Sequence, residues 1–206
     1  MARLIKILTF ALICLSFSQS IHAAGTAQQE KKSFETILQT LCAVGSCYRS
    51  LNPNISQDAR DIISNSVLIV YNTNYEALEK FNAPLKSMGI ENSLLIPAQA
   101  VDNALCSYYG YSVNQYPELQ KAAQEQAPQG FYTVGMSDAG IAEYEINKLE
   151  VLKNGVMRAS GTGIDGVPFN AYFSKSNCGG KAHWVLLRLV ELQPYEESED
   201  FQNPFK

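Results

Sequence analysis

The chain has 206 residues, of which 46% are apolar and 17% are charged, and its formal net charge at pH 7 is −4. This composition is typical of a globular protein with enough apolar residues to form a core, and it excludes a collagen-like, a disordered and a polytopic membrane protein. No catalytic signature in the sequence is strong enough to name a reaction. The informative features concern export, the cysteines and the architecture.

Residues 1–23 have the layout of a secretory signal peptide. Two basic residues, Arg3 and Lys6, precede an apolar run from Ile7 to Phe17, and a small-residue exit follows that ends at Ala23. The apolar run is far shorter than the roughly 20 residues that a membrane-spanning helix needs, so a cleaved signal is favoured over a membrane anchor. We therefore expect an exported protein, periplasmic or secreted, whose mature chain begins at Ala24 and does not insert stably into a membrane.

The mature chain is expected to be distinctly acidic. Cleavage removes two of the 16 basic residues and none of the 20 acidic residues, which takes the net charge from −4 to −6. The remaining basic residues are scattered singly, apart from Lys31 and Lys32. Because binding to a phosphate backbone needs clustered Lys and Arg, a nucleic-acid partner is not expected.

Four cysteines remain after cleavage, and an even number in an exported chain favours two disulfides. On one continuous helix, Cys42 and Cys47 lie about 140° apart. This favours Cys42 with Cys106 and Cys47 with Cys178, or the swapped arrangement, while a helix break at Gly45 leaves a local Cys42–Cys47 bridge open. A zinc site formed by these thiolates with His183 is disfavoured because the cysteine spacing matches no zinc pattern. No metal and no cofactor are expected.

The first half of the mature chain has mainly helical periodicity. Apolar positions three and four apart predict a helix over Ser33–Tyr48. Residues 57–88 favour two helices separated near Asn72, with Thr73 and Glu76 as a capping box for the second, although residues 57–72 also fit a buried strand. Two further helices are predicted, one from Pro97 to Tyr109 before Gly110 and one over Pro117–Gln126.

After Phe131 the periodicity becomes that of β-strands. Strands are predicted over residues 141–153, 156–164 and 167–174 and over His183–Leu192, with a two-residue turn at Asn154-Gly155 between the first two and a loop over residues 176–181 before the last. Four strands joined by short turns predict an antiparallel β-meander. The predicted fold class is therefore α+β, with a mainly helical N-terminal half packed on a four-stranded antiparallel sheet and stabilised by disulfides.

The predicted domain organisation follows from these patterns. After the signal peptide we expect a flexible segment over residues 24–32 and a single α+β domain over residues 33–193. Within that domain, helices occupy residues 33–127 and the sheet occupies residues 131–192. The polar and acidic residues 194–206 are expected to form a flexible tail.

The densest aromatic cluster of the chain supplies the candidate binding site. Helical spacing explains Tyr108 and Tyr109 as packing residues, which leaves a polar and aromatic segment beyond Gly110. Tyrosine combines an apolar ring with a hydroxyl group, and this suits recognition of a protein or a carbohydrate. The predicted binding residues are Tyr111, Asn114, Gln115 and Tyr116. The alternative for the tyrosines is core packing beneath a disulfide-bonded helix end.

Catalysis is not expected. The only pairing of a nucleophile with a base that the mature chain suggests is Cys178 with His183, and export favours oxidation of this cysteine, while the flanking signatures of cysteine hydrolases are absent. The function expected from the sequence is an exported, non-catalytic binding protein that acts on a macromolecular partner. A small secreted or envelope hydrolase is the alternative.

Overall fold

A computed structural model describes residues 27–47, 55–86, 94–134 and 142–192. The predicted signal peptide and acidic tail lie outside these ranges. The helices are α1 (Ala27–Ala43), α2 (Ile55–Thr73), α3 (Tyr75–Lys86), α4 (Ala98–Tyr109) and α5 (Pro117–Gln126). The strands are β1 (Leu94–Pro97), β2 (Phe131–Val134), β3 (Glu145–Val151), β4 (Met157–Thr162), β5 (Pro168–Cys178) and β6 (Lys181–Glu191).

Helix α1 buries the predicted apolar stripe but has different ends. It begins at Ala27, before the predicted start at Ser33, and it ends at Ala43 instead of continuing to Tyr48. Gly45 has a φ of +70°, and the amide of Ser46 donates to the Leu41 carbonyl at 2.7 Å. This is a Schellman motif, in which a left-handed glycine turns the chain away from the helix axis.

Residues 57–72 are helical, and the break between the two predicted helices lies at Asn74. The predicted capping box is wrong, because Thr73 belongs to the end of α2 and not to the start of α3. Its hydroxyl donates to the Ile69 carbonyl at 2.7 Å, four residues earlier on the same helix. Ile69 and Val70 are buried, so the apolar run that also fitted a strand contributes to the core as a helix.

A small sheet that the sequence did not predict interrupts the helical half. Strand β1 pairs antiparallel with β2, and β1 leads directly into α4. Asn82 of α3 is 1% exposed, and its side chain joins α3 to β1. The side-chain Nδ2 of Asn82 donates to the Leu78 carbonyl at 2.8 Å and to the Leu95 carbonyl at 3.0 Å. The side-chain Oδ1 of Asn82 accepts the backbone amide of Leu95 at 2.8 Å.

The second half forms an antiparallel four-stranded sheet in the order β3-β4-β5-β6. The turn between β3 and β4 has three residues, Lys153 to Gly155, because Val151 pairs with Met157 and the Leu152 amide donates to the Val156 carbonyl. Gly155 takes the left-handed position of that turn. The tip between β5 and β6 contains only Gly179 and Gly180, both with positive φ, so the predicted loop over residues 176–181 is mostly strand.

The helices pack against this sheet, which confirms the α+β class and the helical N-terminal half. The rings of Phe34 in α1 and Phe173 in β5 lie 4.6 Å apart, and buried side chains from helices and strands form one cluster. Helix α1 also covers the outer edge of β3. Lys31 donates to the Asn147 carbonyl at 2.9 Å, and Glu35 accepts the Ile146 amide at 2.8 Å. These bonds occupy backbone groups that an exposed strand edge offers to other chains.

Candidate binding site

The C-terminal end of α4 is fastened to the tip of the β5–β6 hairpin. Cys106, in the last turn of α4, forms a disulfide with Cys178 at the end of β5, 72 residues away in sequence. The predicted pairings of Cys106 and Cys178 with Cys42 and Cys47 are therefore wrong. The long hairpin brings Cys178 to α4, while both other cysteines stay at the end of α1.

Gly110 forms the second part of this junction. It caps α4 in the left-handed conformation with a φ of +81°. Its carbonyl accepts a hydrogen bond from the Ser176 hydroxyl at 2.8 Å. A Cβ atom at position 110 would lie 2.7 Å from the Ser176 Cβ atom and 3.1 Å from Val185. Because both the backbone conformation and the close approach of the hairpin exclude a side chain, the helix end and the hairpin fit together only with glycine here.

The segment that follows, residues 111–116, is held in place by hydrogen bonds within the segment and to its neighbouring helices. We call it the tyrosine loop. Ser112 and Gln115 form a capping box around a short 3-10 helix, and Gln115 Oε1 accepts the Ser112 amide at 2.7 Å. Asp102 of α4 accepts the Val113 amide at 2.7 Å, and Gln120 of α5 donates to the Asn114 carbonyl at 3.1 Å. The loop is therefore anchored to both neighbouring helices.

The structure brings the four predicted binding residues together but divides their roles. Tyr111 is 7% exposed, whereas Tyr116 is 37% exposed. Their rings meet edge to face, with centroids 5.5 Å apart. The side chains of Asn114 and Gln115 are exposed, although the side-chain oxygen of Gln115 accepts the Ser112 amide in the capping box. Tyr111 is thus a packing residue that supports the ring of Tyr116, which is what the core-packing alternative expected of a tyrosine in this segment. The exposed surface is formed by Tyr116, Asn114 and Gln115.

A buried polar network lies beneath the tyrosine loop. The Tyr109 ring is 6.2 Å from the Tyr111 ring, and its hydroxyl donates to Ser46 Oγ at 2.8 Å. Ser46 is 3% exposed and also accepts from Asn65 at 2.7 Å. Tyr132 of β2 is also buried, and burial together with the Asp102 carboxylate raises the pKa of its phenol to about 12.

The suggested nucleophile and base do not form a catalytic pair. Cys178 is consumed by the disulfide with Cys106. Burial of His183 lowers the pKa of its imidazole below the ordinary 6.5, with Lys181 acting in the same direction and the Cys178 backbone opposing.

The neighbouring residue, Trp184, packs between the hairpin and α1. Its ring lies 5.4 Å from the Phe34 ring, and the Lys175 ammonium lies 5.0 Å from the centre of the Trp184 ring. These residues fasten the hairpin to α1.

Sequence reasoning missed a charged row across the outer face of the large sheet. The row has one residue from each of the four successive strands, and each lies directly opposite the next: Glu150, Arg158, Tyr172 and Arg188. Arg158 bonds Glu150 at 2.5 Å, and Lys148 lies 3.2 Å from the same carboxylate. These hydrogen bonds and charges hold the pKa of Glu150 below its usual 4.5. The two-residue turn predicted at Asn154-Gly155 would set Val151 opposite Arg158, whereas the three-residue turn of the structure sets Glu150 there.

The described ranges contain neither a metal-ligand cluster nor a membrane-spanning helix. Among the residues whose placement is described, no group of three or more His, Cys, Asp and Glu side chains is arranged to hold a metal ion. In the same part of the chain, no helix is long and apolar enough to cross a bilayer.

No protein-family profile, curated protein or solved structure matches this chain. The chemistry of the site, and not similarity to a known protein, therefore carries the functional inference.

Proposed function

We propose that this protein is an exported, non-catalytic binding protein and that its contact surface is centred on Tyr116 of the tyrosine loop. The partner is a macromolecule, a protein or a carbohydrate. The observation that carries the proposal is a partly exposed tyrosine, 37% accessible. It lies on a loop whose backbone is held by side chains of α4 and α5 and which adjoins a disulfide-linked helix end.

Rigidity is what distinguishes Tyr116 from an ordinary surface aromatic. Ordering a mobile loop on binding costs free energy, and a loop that is already fixed avoids most of that cost. The carboxylate of Asp102 and the amide of Gln120 fix the backbone on either side of Asn114. Tyr111 fixes the ring of Tyr116 at its edge. The exposed face therefore presents one oriented ring beside exposed amide groups, a combination found in contact surfaces.

The hydrolase alternative finds little support in the reactive groups. Cys178 is in a disulfide. The pKa of the Cys42 thiol is raised by a hydrogen bond to Cys47 and by burial, whereas a nucleophilic cysteine needs a lowered pKa. A hydrolase activity that disappears in the His183→Gln variant would favour the alternative and reject the non-catalytic proposal.

A matched pair of tyrosine variants tests the contact surface. Tyr116→Ala removes the proposed contact, and Tyr75→Ala removes a tyrosine that is 41% exposed and meets the Tyr71 ring at the same 5.5 Å. The mature chain, kept under oxidising conditions, is immobilised and used to capture partners from the envelope and medium of exporting cells. Truncating a central contact tyrosine costs about 2 kcal/mol or more, which is roughly thirtyfold in affinity.

Partners captured by the wild-type chain and by Tyr75→Ala, but lost with Tyr116→Ala, are the expected result. Equal capture by all three proteins would reject Tyr116 as the contact. Because Tyr116 is only partly buried, both variants are expected to unfold at nearly the wild-type urea concentration, so a loss of capture reports contact and not folding. Export is tested separately by N-terminal sequencing, which is expected to begin at Ala24, and a retained Met1 on protein recovered outside the cytoplasm would contradict cleavage.

A further inference from the structure

The end of helix α1 brings the two remaining cysteines together. The Schellman motif at Gly45 reverses the chain, with the Gly45 amide donating to the Cys42 carbonyl at 3.0 Å. Because the helix ends at this turn, Cys42 and Cys47 are not held about 140° apart as they would be on one continuous helix. The Cys42 and Cys47 side chains lie within hydrogen-bonding range of each other, and Tyr144 lies beside Cys42. Five residues apart in sequence, the two sulfurs are direct neighbours in the fold.

We propose that Cys42 and Cys47 are a disulfide-forming site, oxidised by exchange with a disulfide donor to give a second, local bridge that closes the end of α1. The donor is a small-molecule disulfide such as oxidised glutathione or the disulfide of an oxidoreductase. In the cell the reaction rests on the proposed export, because disulfides persist in oxidising compartments. The chemistry itself can be tested on purified protein without reference to export.

The burial of the two thiols sets the order of events. Cys42 is partly exposed, whereas Cys47 is 1% exposed. Cys42 therefore loses its proton and attacks one donor sulfur, forming a mixed disulfide and releasing the other donor sulfur as a thiolate. Cys47, deprotonated in turn, attacks the Cys42 sulfur and expels the second donor sulfur. Two protein thiols are oxidised to one disulfide, and the donor is reduced to two thiols.

The environment of Cys42 identifies this as a structural bridge and not a redox catalyst. Its thiol lies in the last turn of α1, where the negative end of the helix dipole disfavours a thiolate. The hydrogen bond to Cys47 and burial also raise the pKa of Cys42. Exchange in the folded protein is therefore slow at neutral pH, and its rate is expected to rise about tenfold for each pH unit between pH 7 and pH 9, because only the thiolate attacks.

Oxidation of the purified mature chain by glutathione disulfide tests the proposal. Both cysteines lie in the tryptic peptide of residues 33–49, between Lys32 and Arg49. A bridge leaves this peptide two hydrogens lighter than the dithiol and resistant to alkylation. The Cys47→Ser variant is expected to retain glutathione on Cys42, because the resolving thiol is gone. The Cys42→Ser variant is expected to stay unmodified because Cys47 is buried.

Three results would overturn the proposal. They are two alkylated thiols in the oxidised wild-type peptide, a persistent glutathione adduct on wild-type Cys42, and a crosslink from this peptide to the peptide of Cys106 or Cys178. The Cys106→Ser/Cys178→Ser variant is the matched control, and it is expected to form the Cys42–Cys47 bridge as the wild type does. The bridge found on purified protein but with a retained Met1 on cell-derived protein would contradict export alone.

Discussion

Replacing Gly110 with alanine is expected to destabilise the junction between the end of α4 and the β5–β6 hairpin. The left-handed φ of +81° costs an alanine about 1 kcal/mol relative to glycine. The new Cβ atom would also lie 2.7 Å from the Cβ atom of Ser176, and overpacking of this kind costs a further 1 to 3 kcal/mol, roughly. The total loss of unfolding free energy is thus about 2 to 4 kcal/mol.

Gly155→Ala is the matched control. Gly155 has a similar φ of +77°, but nothing lies within 4 Å of the position that a Cβ atom would take there, so the expected loss is only about 1 kcal/mol. Urea denaturation followed by circular dichroism measures both. The Ser176→Gly change removes the clashing atoms, so in the Gly110→Ala background it is expected to recover part of the loss, with a coupling of about 1 to 3 kcal/mol. Equal losses in the two alanine variants, without coupling to Ser176, would refute the close approach.

Three further predictions concern the tyrosine loop, Asn82 and His183. Tyr111→Ala is expected to lose about 3 to 5 kcal/mol and Tyr116→Ala less than about 1 kcal/mol in urea denaturation; similar losses would contradict the division of roles in the tyrosine loop. Asn82→Ala is expected to lose about 2 to 4 kcal/mol, because it leaves the amide and carbonyl of Leu95 without their partner, and a loss below about 1 kcal/mol would contradict this. Because burial depresses the pKa of His183 in the folded state, its contribution to stability is present above pH 6.5 and is lost as the pH falls towards the folded pKa. His183→Gln is expected to flatten that part of the pH dependence, and an unchanged slope would contradict the assignment.

The elements that the sequence predicts well are those whose signals are local. Helix α4 has its apolar stripe and its stop signal at Gly110 within one short segment, and α5 begins with Pro117 as predicted. Strand β1 was missed because it has four residues and its partner β2 lies more than thirty residues away. A pairing over that distance leaves no periodic signal in either short segment.

The site shows the same limit. The sequence named Tyr111 and Tyr116 together, but the burial of Tyr111 depends on how α2 and the β5–β6 hairpin pack on α4, which no local pattern encodes. The cysteine pairing depends on two turns. The turn at Gly45 ends α1 before Cys47, so the continuous helix on which the predicted pairings depended does not form. The tight turn at Gly179-Gly180 lets β5 extend to Cys178, which pairs with Cys106.

Photo-crosslinking from position 116 tests the proposed contact surface most directly. A benzophenone-bearing phenylalanine analogue replaces Tyr116 in one protein and Tyr75 in another, and each is produced in cells that export it and then irradiated. Because the reagent bonds only to atoms within contact distance, a covalent adduct with a macromolecule is expected from position 116 and none from position 75. Adducts of equal yield from both positions, or none from position 116 while the partner is still captured, would contradict a contact surface centred on the tyrosine loop.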